Sequence, residues 1–173
     1  MSWTDIPLSV VTGFAGSLFV VLFLYRLRPR IEFSPQISET VLDKHPCYGF
    51  KMINRSPYPV LDVRVVLELI TPKSVNGGQI YSAKDVPLIN GNFFVVNKFD
   101  PSDRDANFAF RVRTTEEIRQ NWTGEGQYLR LSVVGRHALS GFYGVFQQRY
   151  YTKGDIKPGS HQFGLGLDVQ PMG

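Results

Sequence analysis

"VLDVRVVLELI", Val60 to Ile70, is the stretch whose reading decides the fold. Leu61, Val63, Val65, Leu67 and Leu69 recur at every second position, and a period of two puts all five on one face of a strand. Upstream, "CYGFKMIN" (47–54) alternates around Gly49, and the Pro-rich "NRSPYP" (54–59) turns the chain between the two strands. "RIEFSPQI" (30–37) also alternates and is broken at Pro35. Downstream come "FFVVNKF" (93–99), "NFAFRVR" (107–113), "YLRLSVVG" (128–135) and "YGVFQQRYY" (143–151), with Gly, Asn, Asp or Pro between most of them. Short strands at this spacing predict a mainly β domain, a sandwich or barrel. "NGG" (76–78) and "NGN" (90–92) read as hairpin turns, because no helix follows them as a phosphate loop requires. "TTEEIRQNW" (114–122) is the one soluble helix candidate.

The N-terminal segment has a different character. Ile6 to Tyr25, "IPLSVVTGFAGSLFVVLFLY", holds no charge over 20 residues. As a helix rising about 1.5 Å per residue it would span roughly 30 Å, one hydrocarbon core. A secretory signal would need a basic start and a shorter apolar run. Here the start, "MSWTD", is acidic and the basic "RLRPR" follows the run. The expectation is therefore a transmembrane helix with its flanks over residues 1–28, and a cytosolic β-sandwich sensor over 29–173. Arg26, Arg28 and Arg30 after the run predict a single pass through the inner (plasma) membrane, N-terminus outside and C-terminal part cytoplasmic. Trp3 and Tyr25 stand where interfacial rings contact membrane lipids. Ser9, Gly13 and Ser17 recur every fourth residue, a small face for close helix–helix approach; ordinary glycine tolerance is the alternative.

Charge and chemistry narrow the function. The chain has 173 residues with 19 Lys+Arg against 15 Asp+Glu, which permits an anionic partner without demanding one. The lone Cys47 excludes an internal disulfide and agrees with a reducing compartment. His45, His137 and His161 lack ligand-like spacing, so no metal and no cofactor are expected. No nucleophile elbow, zinc-protease or phosphate-loop motif is present, and no enzyme is visible.

Three stretches, in order, resemble the cytoplasmic domain of inward-rectifier potassium channels. They are "YGFKMINRSPYPVLDVRVVLELI", "FFVVNKFDPSDRD" and "LSVVGRHALSGFYGVFQQRYYTKGDIKPGSHQFG". The resemblance covers roughly residues 30 to 165 and implies an immunoglobulin-like sandwich in a homotetramer around a central axis. The second membrane helix, the pore loop and the "GYG" filter are absent, and two residues stand inserted between Gly141 and Arg149. Potassium selectivity is therefore not implied. By this resemblance Ser140, Gly141 and Phe142 would form a gate at the membrane-facing mouth. The one-helix, β-sensor architecture is also similar to the membrane effector of the bacterial Hailong anti-phage defence system. That similarity implies a nucleotide or single-stranded DNA ligand made by a partner nucleotidyltransferase. Arg111, Arg113, Arg136, His137 and Arg149 are the candidate ligand-binding residues, since cations and rings suit such a ligand. The function expected is an oligomeric, channel-like membrane effector gated by a cytosolic anion. A membrane-tethered binding or scaffold protein without conductance is the alternative.

Overall fold

The computed structural model describes the backbone of residues 5–171 and the side chains of residues 13–24 and 27–171. Helix α1 (Asp5–Arg26) is followed by β1 (Ile31–Phe33), β2 (Ile37–Leu42), β3 (His45–Asn54), β4 (Val60–Val75), β5 (Gly78–Val86), β6 (Asn92–Val96) and β7 (Ala109–Thr114). One helical turn, α2 (Ile118–Asn121), leads to β8 (Tyr128–His137) and β9 (Tyr143–Tyr150). The short strands β10 (Ile156–Pro158), β11 (Ser160–His161) and β12 (Val169–Gln170) complete the chain.

The strands form two main sheets. In the first, β7 lies along one edge of β3, while β1 and β2 share its other edge, separated around Pro35. Beyond β2 lies β10, and that pair is parallel. In the second, β5 and β6 share one edge of β4, and β8 then β9 follow on the other, all antiparallel. Tyr48, Phe50 and Met52 of β3 pack in one cluster with Val65 and Leu67 of β4 and Leu131 of β8. Burying each such side chain contributes about 1.5–3 kcal/mol, so the space between the sheets is the main source of stability.

Two expectations about the fold class are corrected. Among the described residues no helix is long and apolar enough to cross a membrane. The transmembrane helix is thus not part of the structure as described. The boundary roles of Arg28 and Arg30 have no spanning helix to rest on. Trp3 and the side chains of Ser9, Tyr25 and Arg26 lie outside the described residues. On the small face, the Ser17 hydroxyl donates to the Gly13 carbonyl at 2.9 Å, within its own helix. The immunoglobulin-like sandwich is corrected to a half-barrel sheet plus an antiparallel sheet. An immunoglobulin sandwich has antiparallel sheets throughout, whereas here β10 runs parallel to β2.

Smaller corrections have local causes. Residues 114–122 give only the single turn Ile118–Asn121. "NGG" does close the β4–β5 hairpin, with Gly77 at φ 100°. "NGN" does not close a hairpin, because β6 pairs with β4 and not with β5. Leu61 leaves the core face expected for it. A β-bulge lies between Leu61 and Arg64, where three steps along β4 oppose two along β8. The extra residue turns Val60 inward instead, beside Val63. Gly135 lies in β8 beside this bulge, and a Cβ there would stand 2.5 Å from Val60 Cγ1 and 3.3 Å from Val63 Cγ2. The missing side chain is what lets both valines face the core. Gly135→Ala is expected to destabilise the fold by about 1–3 kcal/mol through overpacking, lowering the thermal midpoint by several degrees, and Val60→Ala in the same chain should restore part of the loss. An unchanged midpoint in thermal unfolding would show that the bulge tolerates the methyl.

Candidate anion-binding cleft

The alternation of β3 that buries Tyr48, Phe50 and Met52 against the second sheet turns Cys47, Gly49 and Lys51 to the opposite face of their own sheet. Strand β7 supplies the neighbours. Lys51 lies opposite Arg111, and Gly49 lies opposite Arg113. Three cations therefore meet on one face of two adjacent strands, an arrangement that costs free energy unless something offsets it.

The chain beyond β11 provides part of the offset. It crosses this face as a strap, and Lys51 Nζ donates to three of its backbone carbonyls, Gln162 at 2.7 Å, Gly164 at 2.6 Å and Gly166 at 2.6 Å. Arg111 Nη2 donates to the carbonyls of Gln162 at 2.9 Å and His161 at 3.3 Å. Lys51 is fully buried. Burial, followed by the charges of Arg111 and Arg55, pushes its pKa down from 10.5 to about 8. Burial and the neighbouring Arg113 also lower the pKa of Arg111. The ion pairs of the described residues involve Arg55, Arg119, Arg130 and Arg136. None of them brings a carboxylate to Lys51, Arg111 or Arg113.

Beside the strap lies a cleft of about 140 Å³, lined by Ser38 and Thr40 of β2, Cys47 and Gly49 of β3, Arg111 and Arg113 of β7, and Ser160 and His161. The Ser38 hydroxyl donates to the Gly49 carbonyl and the Thr40 hydroxyl to the Cys47 carbonyl, both at 3.3 Å. These bonds are long for O–H···O, so both hydroxyls are weakly held. His161 Nε2 lies 3.1 Å from the Gln36 carbonyl and 3.1 Å from Ser34 Oγ. A carbonyl only accepts, so Nε2 carries the proton. Burial pushes the His161 pKa down to about 4, with smaller lowering contributions from Arg111 and Lys51. The ring is neutral near pH 7.

The other candidate ligand residues lie elsewhere. Arg136 Nε and Nη2 both donate to Asp62 Oδ2, at 3.0 and 2.9 Å, and Asp62 sits in the β4 bulge at φ 52°. His137 is buried, with its ring centroid 5.2 Å from that of Tyr58 and its Nδ1 accepting from the Ser140 N–H at 3.2 Å. Burial lowers its pKa. Arg149 lies over the Tyr128 ring, 5.6 Å from the centroid. Ser140, Gly141 and Phe142 do form a tight turn between β8 and β9. The Ser140 hydroxyl donates to the Leu27 carbonyl at 2.7 Å, which ties that turn to the chain just after α1. Among the described residues no group of three or more His, Cys, Asp or Glu could hold a metal ion.

Lys51, Ser38, Thr40, Ser160 and His161 were not singled out for this site by the sequence. The Lys51 contacts join residues 111 to 115 positions apart, and no local pattern announces them.

No protein-family model matches the chain. No curated protein matches it either. Among solved structures, the crystal structure of a protein from Archaeoglobus fulgidus is similar at 13% identity, over 72% of this chain and 95% of that one, with a TM-score of 0.24. A likeness of that size carries no inference about fold or function.

The buried ammonium gives two expected outcomes. Lys51→Met leaves the Gly164 and Gly166 carbonyls without the Lys51 donor and the Gln162 carbonyl with Arg111 alone, at a cost of about 2–3 kcal/mol. Faster amide exchange or proteolysis over 162–168 would report the loosened strap. The pH dependence has a definite sign. Because the folded pKa of Lys51 is about 8 and its ordinary value is 10.5, the unfolded chain binds more protons between those pH values. The charged form carries its full penalty below pH 8, and that penalty is relieved as pH rises towards 10.5. The midpoint of the parent should rise relative to Lys51→Met across that window. A constant difference would mean that the ammonium is not desolvated as described.

Proposed function

We propose that this protein is a binding domain that takes an anionic, phosphate-bearing ligand in the cleft between β2, β3, β7 and β11. One observation carries the reading: Arg111 and Arg113 stand side by side on a cleft, and no carboxylate pairs with either among the described residues. Arg111 is half-buried and repelled by its neighbour, so an anion placed between them would relieve both effects. Guanidinium groups match phosphate oxygens with paired N–H donors, which gives such a contact direction as well as charge. Nucleotides and single-stranded DNA belong to this ligand class. The role proposed is recognition of the anion. A channel function rested on a spanning helix and is not carried forward.

Arg113 gives the cleanest test, since its side chain is exposed and makes no hydrogen bond that the fold requires. Arg113→Ala is expected to weaken binding of a 5′-phosphorylated single-stranded oligonucleotide about tenfold, the loss of one charge-assisted contact. Arg136→Ala, which removes a group already paired with Asp62, should change it by less than about twofold. Fluorescence anisotropy at two salt concentrations would read both effects, with a shallower salt slope for Arg113→Ala. Parent-like binding by Arg113→Ala would overturn the site.

A further inference from the structure

The following inference rests on the anion-binding reading and narrows it. We infer that the cleft receives a terminal phosphate, either free phosphate or a phosphomonoester end group, and not the internal phosphodiester of a continuous strand. Three features converge on this.

The first is room. The cleft holds about 140 Å³, several times the roughly 10–15 Å³ that one water needs. That suits one tetrahedral oxyanion with an oxygen link leading out. A strand bound through internal phosphates needs an open groove that tracks its backbone. Here β11 closes one side with Ser160 and His161, and β2 closes another with Ser38 and Thr40.

The second is the donor set. Two guanidinium groups and three hydroxyls, those of Ser38, Thr40 and Ser160, line the space, with no carboxylate among the lining residues. A phosphomonoester presents three strongly accepting terminal oxygens, while a diester or a carboxylate presents two. Donors arriving from β2, β7 and β11 can be satisfied together only by an acceptor open on several sides. The hydroxyls of Ser38 and Thr40 are free to turn, because each makes only a 3.3 Å bond to a neighbouring strand.

The third is the floor. Gly49 lies opposite Ser38 in the β2–β3 register, and a Cβ on Gly49 would stand 2.5 Å from Ser38 Oγ. The bare backbone there keeps Ser38 Oγ in place and the bottom of the cleft open. Gly49→Ala would force that hydroxyl out of its present position.

Isothermal titration of the full chain with methyl phosphate, dimethyl phosphate and inorganic phosphate tests this. So does a matched pair of oligonucleotides with and without a 5′-phosphate. Methyl phosphate should bind at least about tenfold tighter than dimethyl phosphate, a difference of one charge-assisted contact or more. Removing the 5′-phosphate should cost the oligonucleotide a similar factor. Gly49→Ala should weaken methyl phosphate by about the same factor. Ser38→Ala, which leaves the packing alone, should weaken it by several-fold. Inorganic phosphate binding as tightly as methyl phosphate would identify the free anion as the source, and weaker binding would identify an end group. If the ester pair bind equally, and the oligonucleotides do too, the terminal-phosphate inference fails while the anion site stands. If none of the phosphates binds, both readings fail.

Discussion

The contact on which the site depends is the Lys51 ammonium held by three carbonyls of the strap. Taking an ammonium out of water costs several kcal/mol unless its protons are bonded. Three backbone carbonyls satisfy all three N–H donors, and they do so without contributing a full negative charge. A carboxylate in the same place would have closed the pair electrically. Carbonyls close it geometrically and leave the positive field in place. That field reaches His161, whose pKa is lowered by burial and in smaller part by Arg111 and Lys51. The same bonds pin residues 162–166 across the sheet, directly after Ser160 and His161, which line the cleft.

The second sheet is organised by a different constraint, the bulge at the start of β4. Val60 and Val63 both face inward because Gly135 has no side chain to oppose them. The bulge puts Asp62 at φ 52° and presents it to Arg136. His137, one residue on, is buried against Tyr58. The basic residues just before the Ser140–Phe142 turn are therefore used by the fold. Their sequence neighbourhood suggested a ligand, but their partners are a carboxylate and a ring.

Much of the β framework was legible because it depends on local periodicity. Tyr48, Phe50 and Met52, and Val63, Val65, Leu67 and Leu69, alternate as buried strands must, and all lie in one core. Leu61 failed that reading because a bulge changes the phase by one residue, and only pairing with β8 reveals it. Strand β5 was missed since its residues are almost all exposed and carry no apolar alternation. Of the site, Arg111 and Arg113 could be found as two cations on one strand face. Lys51 could not, because its environment comes from a segment more than a hundred positions away along the chain. The apolar composition of residues 6–25 suggested a spanning helix, and among the described residues no helix is long and apolar enough to cross a membrane.

What separates Arg111 and Arg113 from the other arginines considered is not exposure or charge but the company they keep. Arg130 has Glu68, Arg119 has Glu39, Arg55 has Glu32 and Arg136 has Asp62. Each of those guanidinium groups already has its counter-ion, and an arriving anion would have to displace a tethered carboxylate. A lone exposed arginine is served well by water and implies little. Arg111 differs, because it is half-buried, repelled by Arg113 and bonded only to neutral carbonyls. Its environment keeps it charged without neutralising it, and the open side of that environment is the cleft. The free energy stored in this repulsion is available to a ligand that brings negative charge, and to that kind of ligand alone.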